Sequence, residues 1–436
     1  MSHGSLFHVR ANPIRWGILV LIALLYIIVF LEKANISVAA PAISKEYGIN
    51  NAAMGLIFSG FVLAYTIGQL PSGWLADHFG PRRVICLLVP FWSLTTVLTG
   101  FASGFASLWG LRFITGLGAS GTFPITARAM QPWYLPSERG SINGLTHACA
   151  RLGTAIVPPV AVWLTISFGW RWVFYACGVV GLLWVAAFAH VYRNSPTEHP
   201  RIGAEELATL RDVPPLPSRR RQVPWRVILR SPNMLFIAMG FACYSYGGYF
   251  YVSWLPSYLV QYRHLSMAAM GIVASLPLLA GMAGDIVAGL YGDRILARTG
   301  RLNFSRRVVA VPGMVGAALF IIPAGMLDSA PLAMICMSVS LFFMEFLNAP
   351  SWAVAMDVGG AYSGTVGSLM NLGASIGGMF SPMVFGALSQ NGHWIAPFII
   401  QAAVLITGAL IWLFLIDAER PMMRPSENEG LLAPAT

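Results

Sequence analysis

The chain sets a small number of side chains able to hold an anion or a proton inside long apolar runs. Glu32 and Lys33 interrupt the first run. Tyr65 and Gln69 stand four apart in the second, His147 and Arg151 four apart further on, and Glu345, Asn348 and Trp352 follow at i, i+3 and i+7. Asn371 and Ser375 repeat the four-residue spacing, and Tyr244, Tyr246, Tyr249 and Tyr251 flank Gly247 and Gly248. Helical residues four apart share a face, whereas neighbours project roughly 100° apart. Glu32 and Lys33 therefore point in different directions, and Lys33 is read as holding a ligand carboxylate while Glu32 binds a proton. Glu345 is the rival proton acceptor. Tyr65 and Gln69 offer a phenol and an amide to hydroxyls or a second carboxylate; Arg151 beside His147 offers a second cation; Tyr249, Asn371 and Ser375 complete the set. Structural readings stay open for each: a buried ion pair, hydrogen bonds between helices, an aromatic packing stripe, or Arg151 neutralising Glu345 or Glu32.

The elements that position these groups are set by composition. Of 436 residues, 56% are hydrophobic and 10% charged, with mean hydropathy +0.67; soluble chains carry about 25% charged residues. A bilayer crossing takes about 20 apolar residues, and hydropathy predicts twelve: 16–40, 53–76, 83–102, 105–127, 140–165, 171–192, 232–259, 267–290, 307–327, 330–353, 362–386 and 394–416. The clearest stretch runs from Val358 to Ile416 without one Asp, Glu, Lys or Arg. The first run is read as a crossing and not a cleaved signal peptide, because Glu32 and Lys33 separate it from the small residues of "SVAAPA". Five cysteines, all within apolar stretches, have neither pairing nor metal-ligand spacing. No metal, cofactor or nucleic acid is expected. Without a phosphate-binding glycine loop or a triad signature, the chain reads as neither an ATP-driven pump nor an enzyme.

A net charge of +10 is explained by orientation. With twelve crossings and the N-terminus inside, only Lys45, Arg171 and Arg263 of the basic residues fall outside, which fixes both termini on the cytoplasmic side. The polar interval 193–230, with Arg219, Arg220 and Arg221, separates two halves, 1–192 and 231–417, ahead of a cytoplasmic tail at 418–436. Its arginines are read as a solvated inner-loop run, with acidic lipid headgroups as the alternative. "GWLADHFGPRR" holds Gly73, Asp77, Arg82 and Arg83; half a chain later "GLYGDRILARTGRLNFSRR" holds Gly289, Asp293, Arg306 and Arg307. Repeated six-helix halves are a carrier architecture, with a site between them near the midplane. Asp77 with Arg82 and Arg83, and Asp293 with Arg306 or Arg307, are expected to act as gates.

At these motifs the chain resembles the major facilitator superfamily. "GWLADHFGPRR" is similar to its loop motif between helices 2 and 3, and "RFITGLGASG" from Arg112 to its helix 4 motif. Within it, "FLEKANISVAAPAI", "YTIGQLPSGWLAD", "GWRWVFYACG" and "YFYVSWLPSYL" resemble the anion:cation symporter family of hexuronate, aldonate and phthalate permeases. Two positions depart from that pattern. Glu32-Lys33 stands where Asp-Arg is usual, giving a point charge for a planar fork, and Ala119 stands where many bacterial members have a carboxylate. The resemblance implies an all-α integral membrane protein, twelve transmembrane helices in two six-helix pseudo-symmetric bundles. It further implies proton-coupled uptake of a small organic anion, a sugar acid or other carboxylate, by a monomer in a bacterial inner membrane. Anion exchange and efflux remain alternatives. A ligand sensor is disfavoured, since neither the central loop nor the tail is large enough for a signalling domain.

Overall fold

In hydrocarbon every backbone N–H and C=O must be satisfied within the segment, so long apolar runs become helices. A computed structural model of the protein describes residues 13–203, 207, 208, 210, 225–390 and 393–420, and among these it leaves the side chains of residues 70, 77, 136, 137, 139–141, 143, 144 and 361 undescribed. Arg219, Arg220 and Arg221 and the tail from residue 421 lie outside the described residues.

The first half holds α1 (Pro13–Tyr47), α2 (Asn51–Phe79), α3 (Pro81–Thr99), α4 (Phe105–Ala119), α5 (Thr122–Met130), α6 (Pro136–Phe168) and α7 (Arg171–Val191). The second holds α8 (Trp225–Arg230), α9 (Pro232–Tyr249), α10 (Met267–Val273), α11 (Ser275–Thr299), α12 (Leu302–Met326), α13 (Ala330–Met344), α14 (Asn348–Gly359), α15 (Ser363–Ser389) and α16 (Ile395–Phe414). Eleven helical stretches among the described residues are long and apolar enough to cross a membrane. The remaining expected crossing, 105–127, is not one straight helix: it breaks at Ser120 and Gly121 between α4 and α5. Beyond Gly247 and Gly248 the helix of α9 continues through two wide turns, Phe250–Trp254 and Tyr258–Tyr262. Large apolar side chains face outward on several helices, among them Leu87, Leu183 and Leu319, each more than 60% exposed. A hydrocarbon solvent accounts for that surface.

The chain clusters into two compact units, Met1–Arg220 with Leu259–Ser275, and Arg221–Tyr258 with Leu276–Thr436. The short α10 thus groups with the first unit, where Gly271 lies against Val162 of α6 and the Ser275 hydroxyl donates to the Ala155 carbonyl at 2.8 Å.

In the first unit the ends of the helices are tied by polar groups. Glu46 accepts from Trp170 Nε1 at 2.7 Å and from Arg171 at 2.6 and 3.1 Å, and Arg171 also donates to Tyr47. The "GWRW" motif is therefore a clamp between the ends of α1 and α7. At the opposite end Arg15, 4% exposed, pairs with Glu138 and donates to the Trp133 carbonyl.

The two loop repeats share one task. Gly80, with φ 78°, turns α2 into α3 where a side chain would meet Asn194 at 2.9 Å, and Asn194 accepts from the Arg82 amide. Arg82 Nη2 then donates to the Ala189 carbonyl at the end of α7 (2.6 Å), and Arg307 Nη2 to the Ile416 carbonyl just past α16 (2.7 Å). Each caps orphan carbonyls at the last helix of its own half. The expected partner Asp293 is exposed, while Arg306 pairs at 3.1 Å with Asp357 of α14. The helix approaches that bring Arg306 to α14 leave Asp293 on the solvent face. The Asp77 side chain lies outside the described residues, and Arg83 is exposed.

A cluster past α16 ties three elements of the second unit. Asp417 accepts from Asn303 Nδ2 at 2.7 Å, and Asn233 exchanges two hydrogen bonds with the Asp417 backbone. The Asn303 hydrogen bond, aided by the Glu419 amide, holds the Asp417 carboxyl below its usual range. A depressed carboxyl contributes stability above its unfolded pKa of about 3.9 and loses it as pH falls through the folded value. Asp417→Asn is expected to lower the unfolding midpoint at pH 7, by about 1 kcal/mol of stability, with the deficit shrinking below about pH 4. Thermal unfolding of the detergent-solubilised protein across pH measures it.

Candidate substrate and proton sites

Glu32 and Lys33 are neighbours on α1 with opposite surroundings. Glu32 is 1% exposed; its Oε1 accepts from Thr96 Oγ1 at 2.6 Å and Asn35 Nδ2 at 3.2 Å. The cation facing it is Arg112 of α4, with Nη1 3.6 Å from Oε1 and donating to the Glu32 carbonyl at 3.2 Å and Asn35 Oδ1 at 3.3 Å. The guanidinium lies 4.4 Å from the centre of the Phe61 ring. Gly116, one turn further on α4, permits this approach, since a Cβ there would stand 2.4 Å from the Phe61 carbonyl. Glu32 Oε2 and Arg112 Nε remain buried without hydrogen bonds. Of the two readings of Arg151, second substrate cation or neutralising partner for Glu345 or Glu32, the Glu32 role falls to Arg112. This residue was visible in the helix 4 motif but was given no role.

Lys33 is partly exposed and makes neither a hydrogen bond nor an ion pair among the described residues. Its ammonium instead meets three rings: Tyr65 at 4.3 Å, Phe30 at 5.0 Å and Phe123 at 5.3 Å from their centres. Cation–π contacts stabilise it by roughly 0.5–2 kcal/mol each and leave its N–H donors for an anion. Phe123 stands just past the break in α4, where Gly121 lies so close to α2 that a side chain would meet Ser72 Cβ at 2.7 Å. The same ring lies 6.1 Å from His147 and 5.0 Å from Tyr26. His147 is exposed, and Arg151 follows one turn on along α6, partly exposed. Tyr65 is buried and stacks on Phe61; Gln69, one turn on, is partly exposed. The structure therefore sets Lys33 between Tyr65 and Phe123 and His147 against Phe123, a residue without a polar signal in the sequence.

In the second unit Glu345, 3% exposed, sits in the tight turn Glu345–Leu347 between α13 and α14 and accepts from the Tyr244 hydroxyl at 2.8 Å. Asn348 donates to Asp285 of α11 at 3.1 and 3.3 Å. Gly281, one turn before Asp285, lies against Glu345, where a Cβ would be 3.3 Å from Glu345 Cγ. Both carboxylates thus border one seam. Asp285 escaped the sequence reading although it interrupts an apolar run as Glu345 does. Tyr249 packs its ring on Gly378, and Tyr244 is the tyrosine that reaches a carboxylate. Ser375 donates to the Asn371 carbonyl at 3.1 Å, while Asn371 is partly exposed. Trp352 sets its ring against Phe241 at 6.2 Å.

A family model described as Major Facilitator Superfamily matches residues 22–382 and 299–435. The chain belongs to the major facilitator superfamily. It is a membrane transporter of the anion:cation symporter type, not an enzyme. It is 40% identical over 419 residues to a probable sulfoacetate transporter of Cupriavidus necator, covering 95% of this chain and 97% of that one. A probable galactarate/D-glucarate transporter of Bacillus subtilis is 31% identical over 439 residues, with 96% of each chain covered. A D-galactonate transporter of Escherichia coli is 28% identical over 420 residues, covering 93% of this chain and 96% of that one. Among solved structures, a D-xylose–proton symporter matches with TM-score 0.75 at 13% identity, covering 93% of this chain and 98% of that chain. A bacterial homolog of the human lysosomal transporter Spinster, inward-facing and unoccupied, matches with TM-score 0.73 at 18% identity, covering 92% and 97%. These two establish the superfamily fold.

Removing one partner of a buried ion pair costs about 3–5 kcal/mol because the other charge stays buried. Arg112→Met is therefore expected to cost the carrier about 3 kcal/mol of stability, and adding Glu32→Gln to recover most of it. Unfolding midpoints of the single and double variants in detergent test this; a double variant as unstable as the single one removes the pair from its structural role.

Proposed function

We propose that this transporter is a secondary carrier of a bacterial inner membrane, a monomer with both termini cytoplasmic. It takes up a small organic anion, a sugar acid or other carboxylate, together with protons by alternating access. The observation that carries the reading is Lys33: an ammonium in a lipid-embedded helix, partly open, lined by rings and engaged by no carboxylate among the described residues. A charge at a helix centre costs about 2.5–3.5 kcal/mol on insertion scales, and an anion that is gripped and released there gives it a purpose. The relatives whose names specify organic acids agree with that purpose.

In this reading Lys33 holds the anionic head, with Tyr65, Gln69, His147 and Arg151 on the same unit and Tyr249, Asn371 and Ser375 on the other as further contacts. Glu32 and Glu345 carry protons, and Asp285 joins Glu345 as a further acceptor. Arg82 and Arg307, capping the last helix of each half, keep the halves rigid while they rock, and Asp77, Arg83, Asp293 and Arg306 bias which side is closed. A monovalent anion entering against an inside-negative potential costs about 2.3 kcal/mol per 100 mV, and two accompanying protons reverse the sign. Anion exchange is the second reading. It is favoured by Ala119, fully buried where many relatives have a carboxylate, and by the engagement of Glu32 with Arg112.

Proteoliposomes separate these readings. Symport predicts accumulation of an organic acid driven by an acid exterior and raised further by an inside-negative potential. Exchange predicts dependence on substrate trapped within, and a sensor accumulates nothing. Lys33→Ala is expected to reduce kcat/KM for uptake about 30-fold, the loss of one charge-assisted hydrogen bond; unchanged uptake by this variant removes Lys33 from the site.

A further inference from the structure

A hydroxyl has one proton to give, and Thr96 of α3 has two places to send it. Its Oγ1 stands 2.6 Å from Glu32 Oε1 and 2.8 Å from the Trp92 carbonyl one turn back, and the side chain is fully buried. Donation to the carbonyl four residues back is the ordinary state of a threonine within a helix: Thr66, Thr99, Thr126, Thr154, Thr165 and Thr407 all make that bond, at 2.7–3.1 Å. Thr96 has a carboxylate oxygen within reach as well. With Glu32 ionised, the Thr96 proton points to Oε1, and the Trp92 carbonyl is still served by the Thr95 hydroxyl at 2.9 Å. With Glu32 neutral, the acid's own O–H needs an acceptor. Arg112 carries donors alone, and Asn35 presents Nδ2 to Glu32 while its Oδ1 faces Arg112 at 3.3 Å. Cys177 of α7, the other ionisable group acting on this carboxyl among the described residues, has a thiol sulfur that accepts only weakly. Glu32 Oε2 is buried with no hydrogen-bonding neighbour, so a proton placed there would be unpaired. On Oε1 it meets Thr96 Oγ1 at a good O–H···O distance.

We infer that Thr96 is the positioning residue of the Glu32 proton site, turning from donor to acceptor as Glu32 gains a proton. The incoming proton forms the Oε1–H bond. Thr96 keeps its own proton and rotates it about Cβ–Oγ1, from Oε1 to the Trp92 carbonyl. Both charge states of Glu32 then have a partner without any shift of α1, α3 or Arg112. The inference rests on the carrier reading above, in which Glu32 takes up protons, and names a residue that the reading leaves out.

The test uses the full-length protein in proteoliposomes with labelled sulfoacetate as the probe, and labelled D-galactonate where sulfoacetate is not carried. Accumulation driven by an acid exterior requires Glu32 to bind and release a proton in every cycle, whereas exchange of labelled for trapped anion cycles the loaded carrier and needs no release. Thr96→Val keeps the shape of the side chain without its hydroxyl. It is expected to lower pH-driven accumulation about tenfold, the worth of one buried hydrogen bond, while exchange falls less than about threefold. A hydroxyl with a purely structural role would lower both alike. Thr96→Ser retains the hydroxyl and is expected to accumulate the probe nearly as the unaltered protein does; Thr96→Ala replaces the valine variant if that one does not fold. Equal losses in the two assays, no loss in either, or a serine variant as defective as the valine one overturns this inference and leaves the carrier standing. If the unaltered protein exchanges the probe but an acid exterior drives no accumulation, or if it carries neither probe, the proton-coupled reading falls and this inference with it.

Discussion

The energetic cost of charge in hydrocarbon organises the first unit of this chain. Arg112 and Glu32 are both nearly inaccessible to solvent, and either charge left alone in such a place costs several kcal/mol. Together with Thr96 and Asn35 they form a network that joins α1, α3 and α4. The network settles the orientation of α1: with Glu32 turned into the bundle, the adjacent Lys33 projects about 100° away and cannot share that carboxylate. The buried pair thereby creates the unpaired cation next to it.

Small residues let that arrangement form. Gly116 against the Phe61 carbonyl, Gly68 against Ser120 and Gly121 against Ser72 all draw α2 and α4 into close approach. Without a hydrophobic drive between helices in lipid, such backbone proximity is a principal source of association. Here it also carries chemistry, since Phe61 then covers the Arg112 guanidinium and Phe123 is carried round to Lys33. Packing and site are one construction in the first unit.

Much of this was legible in the residues. Hydropathy gave the helices, because a bilayer forces long uninterrupted apolar runs, and the superfamily motifs gave the fold. The break at Ser120 and Gly121 was not legible from periodicity; α2 passes close beside it, where a Cβ on Gly121 would stand 2.7 Å from Ser72 Cβ. Lys33 and Glu345 stood out as ions in apolar runs. Asp285 carried the same signal and was passed over, and Arg112 was read as part of a motif when it is also the partner of Glu32. Asp293 was matched to its neighbours by sequence distance, whereas Arg306 finds Asp357 through helix packing. Spacing along one helix predicts faces, but which faces meet is decided by the glycines of the other helices.

The two units answer their carboxylates differently, and the difference bears on stability. Glu32 faces a guanidinium, with Thr96 and Asn35 donating to the same carboxylate oxygen. Glu345 and Asp285 accept from uncharged donors, the Tyr244 phenol and the Asn348 amide. Removing one of those uncharged donors leaves an acceptor short of a hydrogen bond, whereas removing Arg112 leaves an uncompensated buried charge, the costlier loss.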